Sequence, residues 1–229
     1  MQITSSHAPP EISYLENGDR LTRQEFERRY QALPQIKKAE LIEGVVYVPS
    51  PLRFEKHAKP HACIIGWLAL YSAATPGVDL ADNATVRLDW DNEPQPDALL
   101  RIATEKGGQS HISEDDYVEG APELIAEIAS SSASYDLHDK LTAYRRNGVQ
   151  EYIVWQIYDQ RLDWFSLQNG QYINLVPDQK GVIRSQVFPG LNLPIEALLS
   201  RNLQQVLDEV QKGIQGEEHK AFVAKLAQT

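Results

Sequence analysis

Asp97, Glu127 and Lys140 are the residues whose types and spacing could do chemistry together. Glu127 stands inside the apolar run Leu124-Ile125-Ala126-Glu127-Ile128-Ala129, which reads as a strand. A buried charge without a partner costs several kcal/mol, so this carboxylate should be paired, protonated or bound to a metal. Asp97 stands at the end of a second short apolar strand, 97–102. Two carboxylates at strand ends, with a lysine nearby, suit a divalent cation. Magnesium takes a few carboxylates in octahedral oxygen geometry and keeps several waters. On that chemistry the chain reads as a metal-dependent phosphodiesterase, and specifically a nuclease, with Asp97 and Glu127 as metal ligands. The plainer alternative is that Asp97 caps a turn and Glu127 lies at an exposed strand edge.

The elements that must position these groups follow from periodicity. Strand alternation sorts Leu124, Ala126 and Ile128 onto one face and Ile125, Glu127 and Ala129 onto the other. Glu127 can therefore face a cleft while its neighbours fill a core. Asp136, Lys140 and Tyr144 follow at four-residue intervals and share a helix face beside the stripe Leu137, Leu141, Tyr144. Taken alone, this is also the pattern of a surface Asp-to-Lys pair. Ser134 is placed to cap that helix, and Asn147-Gly148 to close it. The strand Glu151–Gln156 comes next.

Upstream, Thr22-Arg23-Gln24-Glu25 is a capping box for a helix that Pro34 ends. Residues 39–42 and 45–48 flank Glu43-Gly44 as a hairpin. A long helix from about Glu55 to Ala74 should bury Ala58, Ala62, Ile65, Leu68 and Ala69. Residues 78–80 and 85–88 read as short strands, and 103–120 as a long polar loop, functional or merely solvated. Downstream, residues 162–168 and 171–176 flank Asn169-Gly170 as a second hairpin. Helical stretches at 195–199 and from 203 to about 210 then lead into a polar tail.

His57 and His61, at i and i+4, could share a helix face, but no third ligand at a linked spacing completes a zinc site. Ser130-Ser131-Ser132 follows the acidic strand without a Gly-x-Ser-x-Gly elbow, and no glycine-rich phosphate loop follows any strand. The single cysteine excludes an internal disulfide framework and a cysteine-rich zinc site. With 229 residues and 42% hydrophobic content, the chain can bury one sizeable core. No apolar stretch reaches membrane-spanning length and no secretory signal opens the sequence, which predicts a cytoplasmic protein without a membrane partner. A net charge of −10 opposes gripping DNA by overall charge and leaves room for a local basic groove. The expected organisation is an arm over residues 1–20, one α/β domain over 21–200 and a helical tail over 201–229.

Several pieces, in order, resemble a bacterial restriction endonuclease family that is expanded in some photosynthetic bacteria and belongs to the PD-(D/E)xK nuclease superfamily. They are Glu40-Leu41-Ile42-Glu43-Gly44, His57, Pro96-Asp97, the run from Glu123 to Ser130 around Glu127, Asp136-x3-Lys140-x3-Tyr144, Gly148-Val149-x-Glu151-Tyr152 and Phe188-Pro189-Gly190-Leu191. Together they span most of residues 20 to 200. The resemblance implies an α/β, restriction-endonuclease-like fold, a mixed sheet flanked by helices, and DNA cleavage with Mg2+ or Mn2+. A homodimer is a compatible assembly. Asp97 and Glu127 would match the motif acids. The superfamily lysine normally stands two residues after the second acid, where this chain has Ala129, so its role passes to Lys140. Glu40 would line the site as an outer ligand, His57 would contact substrate, and Asp136 and Tyr144 would support Lys140. Two other classes compete: an inactive nucleic-acid-binding or regulatory module on the same fold, and a two-carboxylate glycosidase with carboxyls about 5 to 10 Å apart.

Overall fold

The computed structural model of the protein describes residues 14–49, 51–130 and 133–228. The arm expected over residues 1–20 is thus seen only from Tyr14 onward, and Ser50, Ser131 and Ser132 also lie outside the described residues. The seen part of the arm is tied to the first hairpin: Leu15 is buried, and the Gly18 N–H donates to the Val46 carbonyl at 2.8 Å.

Thr22 caps α1 (Arg23–Gln31), its hydroxyl accepting from the Glu25 N–H. The Glu25 carboxylate holds Arg28 and Arg29, each at 2.7 Å. β1 (Glu40–Ile42) and β2 (Val45–Tyr47) pair as an antiparallel hairpin. Glu43 and Gly44 turn it with φ of +51° and +72°, the hand that matches strand twist.

A π-helical turn, Phe54–Ala58, runs directly into α2 (Lys59–Ala73). The buried side of α2 carries Cys63, Ile64, Trp67, Leu68 and Tyr71. This differs from the expected stripe: Ala58 and Ala62 are exposed, Ile65 and Ala69 are half-buried, and only Leu68 is shared. The reason is area. Turning two aromatic rings inward removes far more apolar surface from water than turning in alanine methyls.

β3 (Val78–Asp82), β4 (Val86–Arg87) and β5 (Ala98–Ile102) follow. The polar stretch 103–120 is not a free loop. It contains a short 3-10 turn, Thr104–Lys106, then β6 (His111–Ile112) and β7 (Val118–Glu119), which join β4 in a three-stranded sheet. The buried Glu123 carboxylate ties it down by accepting from the N–H groups of Ile102 and Gln109 at 2.7 and 2.9 Å.

β8 (Leu124–Ala129) is followed by one interrupted helix: α3 (Ala133–Tyr135), a π-helical turn Asp136–Lys140, and α4 (Leu141–Asn147). Ser134 lies inside α3 rather than at its cap. Gly148, at φ +86°, ends α4. β9 (Glu151–Gln156), β10 (Arg161–Gln168) and β11 (Gln171–Asn174) complete the main sheet, whose order is β11-β10-β9-β8-β5-β3. β8 and β9 are parallel, as the helical crossover between them requires, and the other neighbours are antiparallel. β12 (Val182–Arg184) and β13 (Asn192–Pro194) form a separate pair, followed by α5 (Ile195–Leu199), α6 (Leu203–Ile214) and α7 (Glu217–Gln228). The expected polar tail is therefore a docked helix: His219 and Leu226 of α7 are buried, and Phe222 meets Phe188 edge-on.

The main core lies on one face of the sheet, where Leu124, Ala126 and Ile128 pack with Trp67, Leu68, Tyr71 and Trp164. On the other face Ile125 and Ala129 pack with Tyr144 and Tyr152. The result is a single α/β domain, a mixed sheet flanked by helices. Among the described residues no helix is long and apolar enough to cross a membrane.

Candidate active site

The ladder between β5 and β8 pairs Ala98 with Ala126, so one step further brings Asp97 level with Glu127. Directly opposed residues of an antiparallel pair point to the same face. Both carboxylates accordingly line one cleft of about 810 Å3, together with Glu40, His57, Asp136 and Lys140. They lie at its floor: Asp97 and Glu127 are each 4% exposed and Lys140 is 3% exposed.

Lys140 is the hub. Its ammonium donates to Glu127 Oε1 at 2.8 Å and to Glu40 Oε1 at 2.9 Å, with Asp136 Oδ1 at 3.9 Å. The Tyr144 hydroxyl donates to the same Glu127 oxygen at 2.9 Å. Glu40 also accepts from the Gln95 N–H at 2.7 Å. The expectation that Asp136, Lys140 and Tyr144 share a face is met, but that face is turned inward to the acids. Three carboxylates then share one ammonium.

The titrations follow. Burial, and to a lesser extent Asp97, Asp136 and Glu40, push Glu127 up to about 8, against the pull of Lys140. Burial opposes the Lys140 charge, yet Glu127, Glu40 and Asp136 outweigh it and hold the amine well above its usual value. Burial also acts against the Asp97 charge, but His57, Lys38 and the Ile128 N–H together keep this carboxyl below its ordinary range. His57 Nε2 lies 3.3 Å from Asp97 Oδ1, Lys38 Nζ lies 3.9 Å from it, and the Ile128 N–H donates to Oδ2 at 2.8 Å.

Both π-helical turns open on this cleft: one carries His57, the other Asp136 and Lys140. Widened turns of this kind recur at functional sites. All seven residues singled out from the sequence are thus gathered in one place. Sequence reasoning missed Lys38 and Tyr135. Lys38 stands two residues before Glu40, a same-face spacing that could have revealed it. Tyr135 lies beneath the Lys140 ammonium, 5.3 Å from ring centre to nitrogen, and its buried hydroxyl has no hydrogen-bond partner among the described residues. No spacing signal marked it.

The donor set suits a hard, oxygen-seeking cation, because carboxylates outnumber the cationic groups at the floor. Among the described residues, however, no three His, Cys, Asp or Glu side chains converge as a ready-made ion cage. Lys140 occupies the centre of the acids, and a cation ligated by Asp97 and Glu127 would have to share Glu127 with it.

A mixed sheet with two acids at adjacent strand positions and a lysine between acids defines a restriction-endonuclease-like protein. A solved structure agrees on the fold: a putative nuclease of DUF820 from Anabaena variabilis ATCC 29413 superposes with a TM-score of 0.51 at 13% identity, over 80% of this chain and 97% of that one. A comparison with curated proteins gave no match. In sequence, residues 23–196 match the family Uma2, described as "Putative restriction endonuclease", and the chain belongs to that family.

Proposed function

We propose that this protein is a divalent-cation-dependent DNA endonuclease. The observation that carries the reading is the Lys140 ammonium held between Glu127 and Glu40, with Asp97 opposite Glu127 on the neighbouring strand, at the floor of an open cleft. Asp97 and Glu127 would hold Mg2+ or Mn2+. When bound, such an ion acts as a Lewis acid on a phosphoryl oxygen and lowers the pKa of its water.

The chain's own groups would do the rest. Lys140 would act as a fixed donor rather than a base, because three carboxylates keep its proton in place. It would orient the attacking water or stabilise charge developing on the phosphoryl oxygens, with no reorganisation at the moment of reaction. Tyr144 and Glu40 would keep it aimed, one by fixing the Glu127 oxygen it grips and the other by gripping Nζ directly. His57, whose buried Nε2 lies 3.3 Å from Asp97 Oδ1, would hold that carboxylate charged and in place on its side of the site. Ala129 leaves no amine at the usual superfamily position, so Lys140 would take that role.

The test is a plasmid-nicking and linearisation assay with magnesium and with manganese. The wild type should cut, Asp97→Ala should not, and calorimetric titration of manganese should show weakened binding by Glu127→Gln. A wild type inert with both ions, or an Asp97→Ala variant that cuts equally well, would end this reading.

A further inference from the structure

The mouth of the cleft differs from its floor. Where the floor is acidic and buried, the rim is basic and aromatic. Arg53 is exposed, and its guanidinium has no hydrogen bond or ion pair among the described residues, although its carbonyl accepts from the His57 and Ala58 N–H groups. Lys56 is held over the Tyr158 ring at 4.9 Å, and Lys38 reaches in from the other wall. Tyr158 is 56% exposed, and Phe54, beside Arg53, is 69% exposed. Exposed aromatic rings grouped with basic side chains at a cleft mouth make a surface suited to a ligand that is both flat and anionic.

From this arrangement we infer that the cleft takes single-stranded DNA, an unpaired end or flap, in preference to intact duplex. The inference rests on the nuclease reading above and narrows its substrate. Three observations favour it. First, the acids and Lys140 lie below the surface, almost wholly covered, and the cleft volume falls within the range of a small-ligand pocket. A single strand can thread its phosphate down to that floor, whereas a duplex presents its phosphates on a wide convex cylinder. Second, the exposed Tyr158 ring that lines the cleft suits a base that has left the stack. Base-on-aromatic stacking tolerates any sequence, because every base has a flat face. Third, the basic charge is sparse. Lys38, Arg53 and Lys56 can follow a short length of one backbone, but in a chain of net charge −10 they do not form the broad footprint a duplex requires. Tyr158 and Arg53 would therefore act before chemistry, by seating the strand, and their loss should raise KM more than it lowers kcat.

The experiment uses the full chain with a labelled 12-nucleotide single strand and the blunt duplex of the same sequence, in calcium, followed by anisotropy. The single strand should bind at least tenfold more tightly than the duplex. With three basic contacts and roughly 0.7 counterions released per contact, its log–log salt slope should be about −2. Tyr158→Ala should weaken single-strand binding about tenfold, and Arg53→Ala severalfold. Trp90→Ala, at a still more exposed ring that does not line the cleft, should change nothing. In manganese, a duplex with a single-stranded flap should be cut in the unpaired arm. Equal or tighter binding of blunt duplex, or an unaltered Tyr158→Ala variant, overturns the inference even if the protein cuts DNA. Tyr158-dependent preference for the single strand, with no cleavage of any substrate, upholds it while removing the nuclease reading.

Discussion

The two faces of β8 differ sharply although they alternate along six residues. Leu124, Ala126 and Ile128 face α2 and belong to an apolar cluster that includes the fully buried Trp67, Tyr71 and Trp164. Glu127, between them in sequence, faces the interrupted helix and a network of Glu40, Lys140, Tyr144 and Asp97. One face gains stability from area removed from water. The other holds charged groups out of water, where each is tolerable only because its partner is present. The comparison separates the face that carries the fold's stability from the face on which the proposed chemistry rests.

Breaking the apolar face should cost the most. Trp67→Ala removes a fully buried ring that packs edge-on against Trp164 and donates to the Asn192 carbonyl. It should lower stability by about 4 kcal/mol, read by urea denaturation, while cleavage per folded molecule persists. A loss below about 1 kcal/mol would show that α2 is not the structural side.

Breaking the polar face should cost less in stability and everything in activity. Lys140→Met leaves Glu40 and Glu127 buried without their cation, so about 3 kcal/mol should be lost at neutral pH, and cleavage should vanish. The near-complete burial of Lys140 is why its loss should be felt in the fold as well as in the chemistry. A Lys140→Met protein that cuts at the wild-type rate would dissociate the network from the chemistry.

A third test asks whether buried charge away from the cleft behaves as the polar face does. Burial pushes Glu151, at the start of β9, up to about 7, against hydrogen bonds from Ser185 and the Gln186 N–H. A raised carboxyl pKa means that the folded state binds the proton more tightly than the unfolded chain. Its stabilisation is full below the unfolded value near 4.5 and is lost as pH rises through about 7. Between about pH 5 and 7 the wild type should lose about 2 kcal/mol, and Glu151→Gln should abolish that part of the slope. Identical pH–stability curves for the two proteins would refute the assignment.

The smallest effect sharpens the role of the crossover. Gly148 ends the Lys140-bearing helix at φ +86°, with open space where a Cβ would stand. Gly148→Ala should therefore cost only about 1 kcal/mol, from backbone conformation alone, and leave cleavage per folded molecule unchanged.

What was legible in the sequence was local or periodic. The capping Thr22, the Glu43-Gly44 and Asn169-Gly170 turns, the alternation that separates Glu127 from Ile128, and the four-residue steps through Asp136, Lys140 and Tyr144 all follow from neighbours along the chain. The acid in the apolar strand also announced itself, because the cost of burying it demands a partner. Errors arose where competition between residues decides. The inward face of α2 depended on which side chains had the most area to bury, and the ordering of residues 103–120 depended on Glu123 reaching back to Ile102 and Gln109.

Sequence alone thus determined most of the element types and strand faces and marked Glu127 as an acid in need of a partner, because these rest on periodicity and on the price of buried charge, while Lys140 stood out through the family resemblance. Only the tertiary structure decided that Lys140 would stand between Glu127, thirteen residues away, and Glu40, one hundred residues away. That meeting depends on sheet order, on the parallel crossover and on a π-helical turn that sets the angle of the lysine. None of these is encoded by any short stretch of chain; each is settled only when the separate elements compete for the same interior.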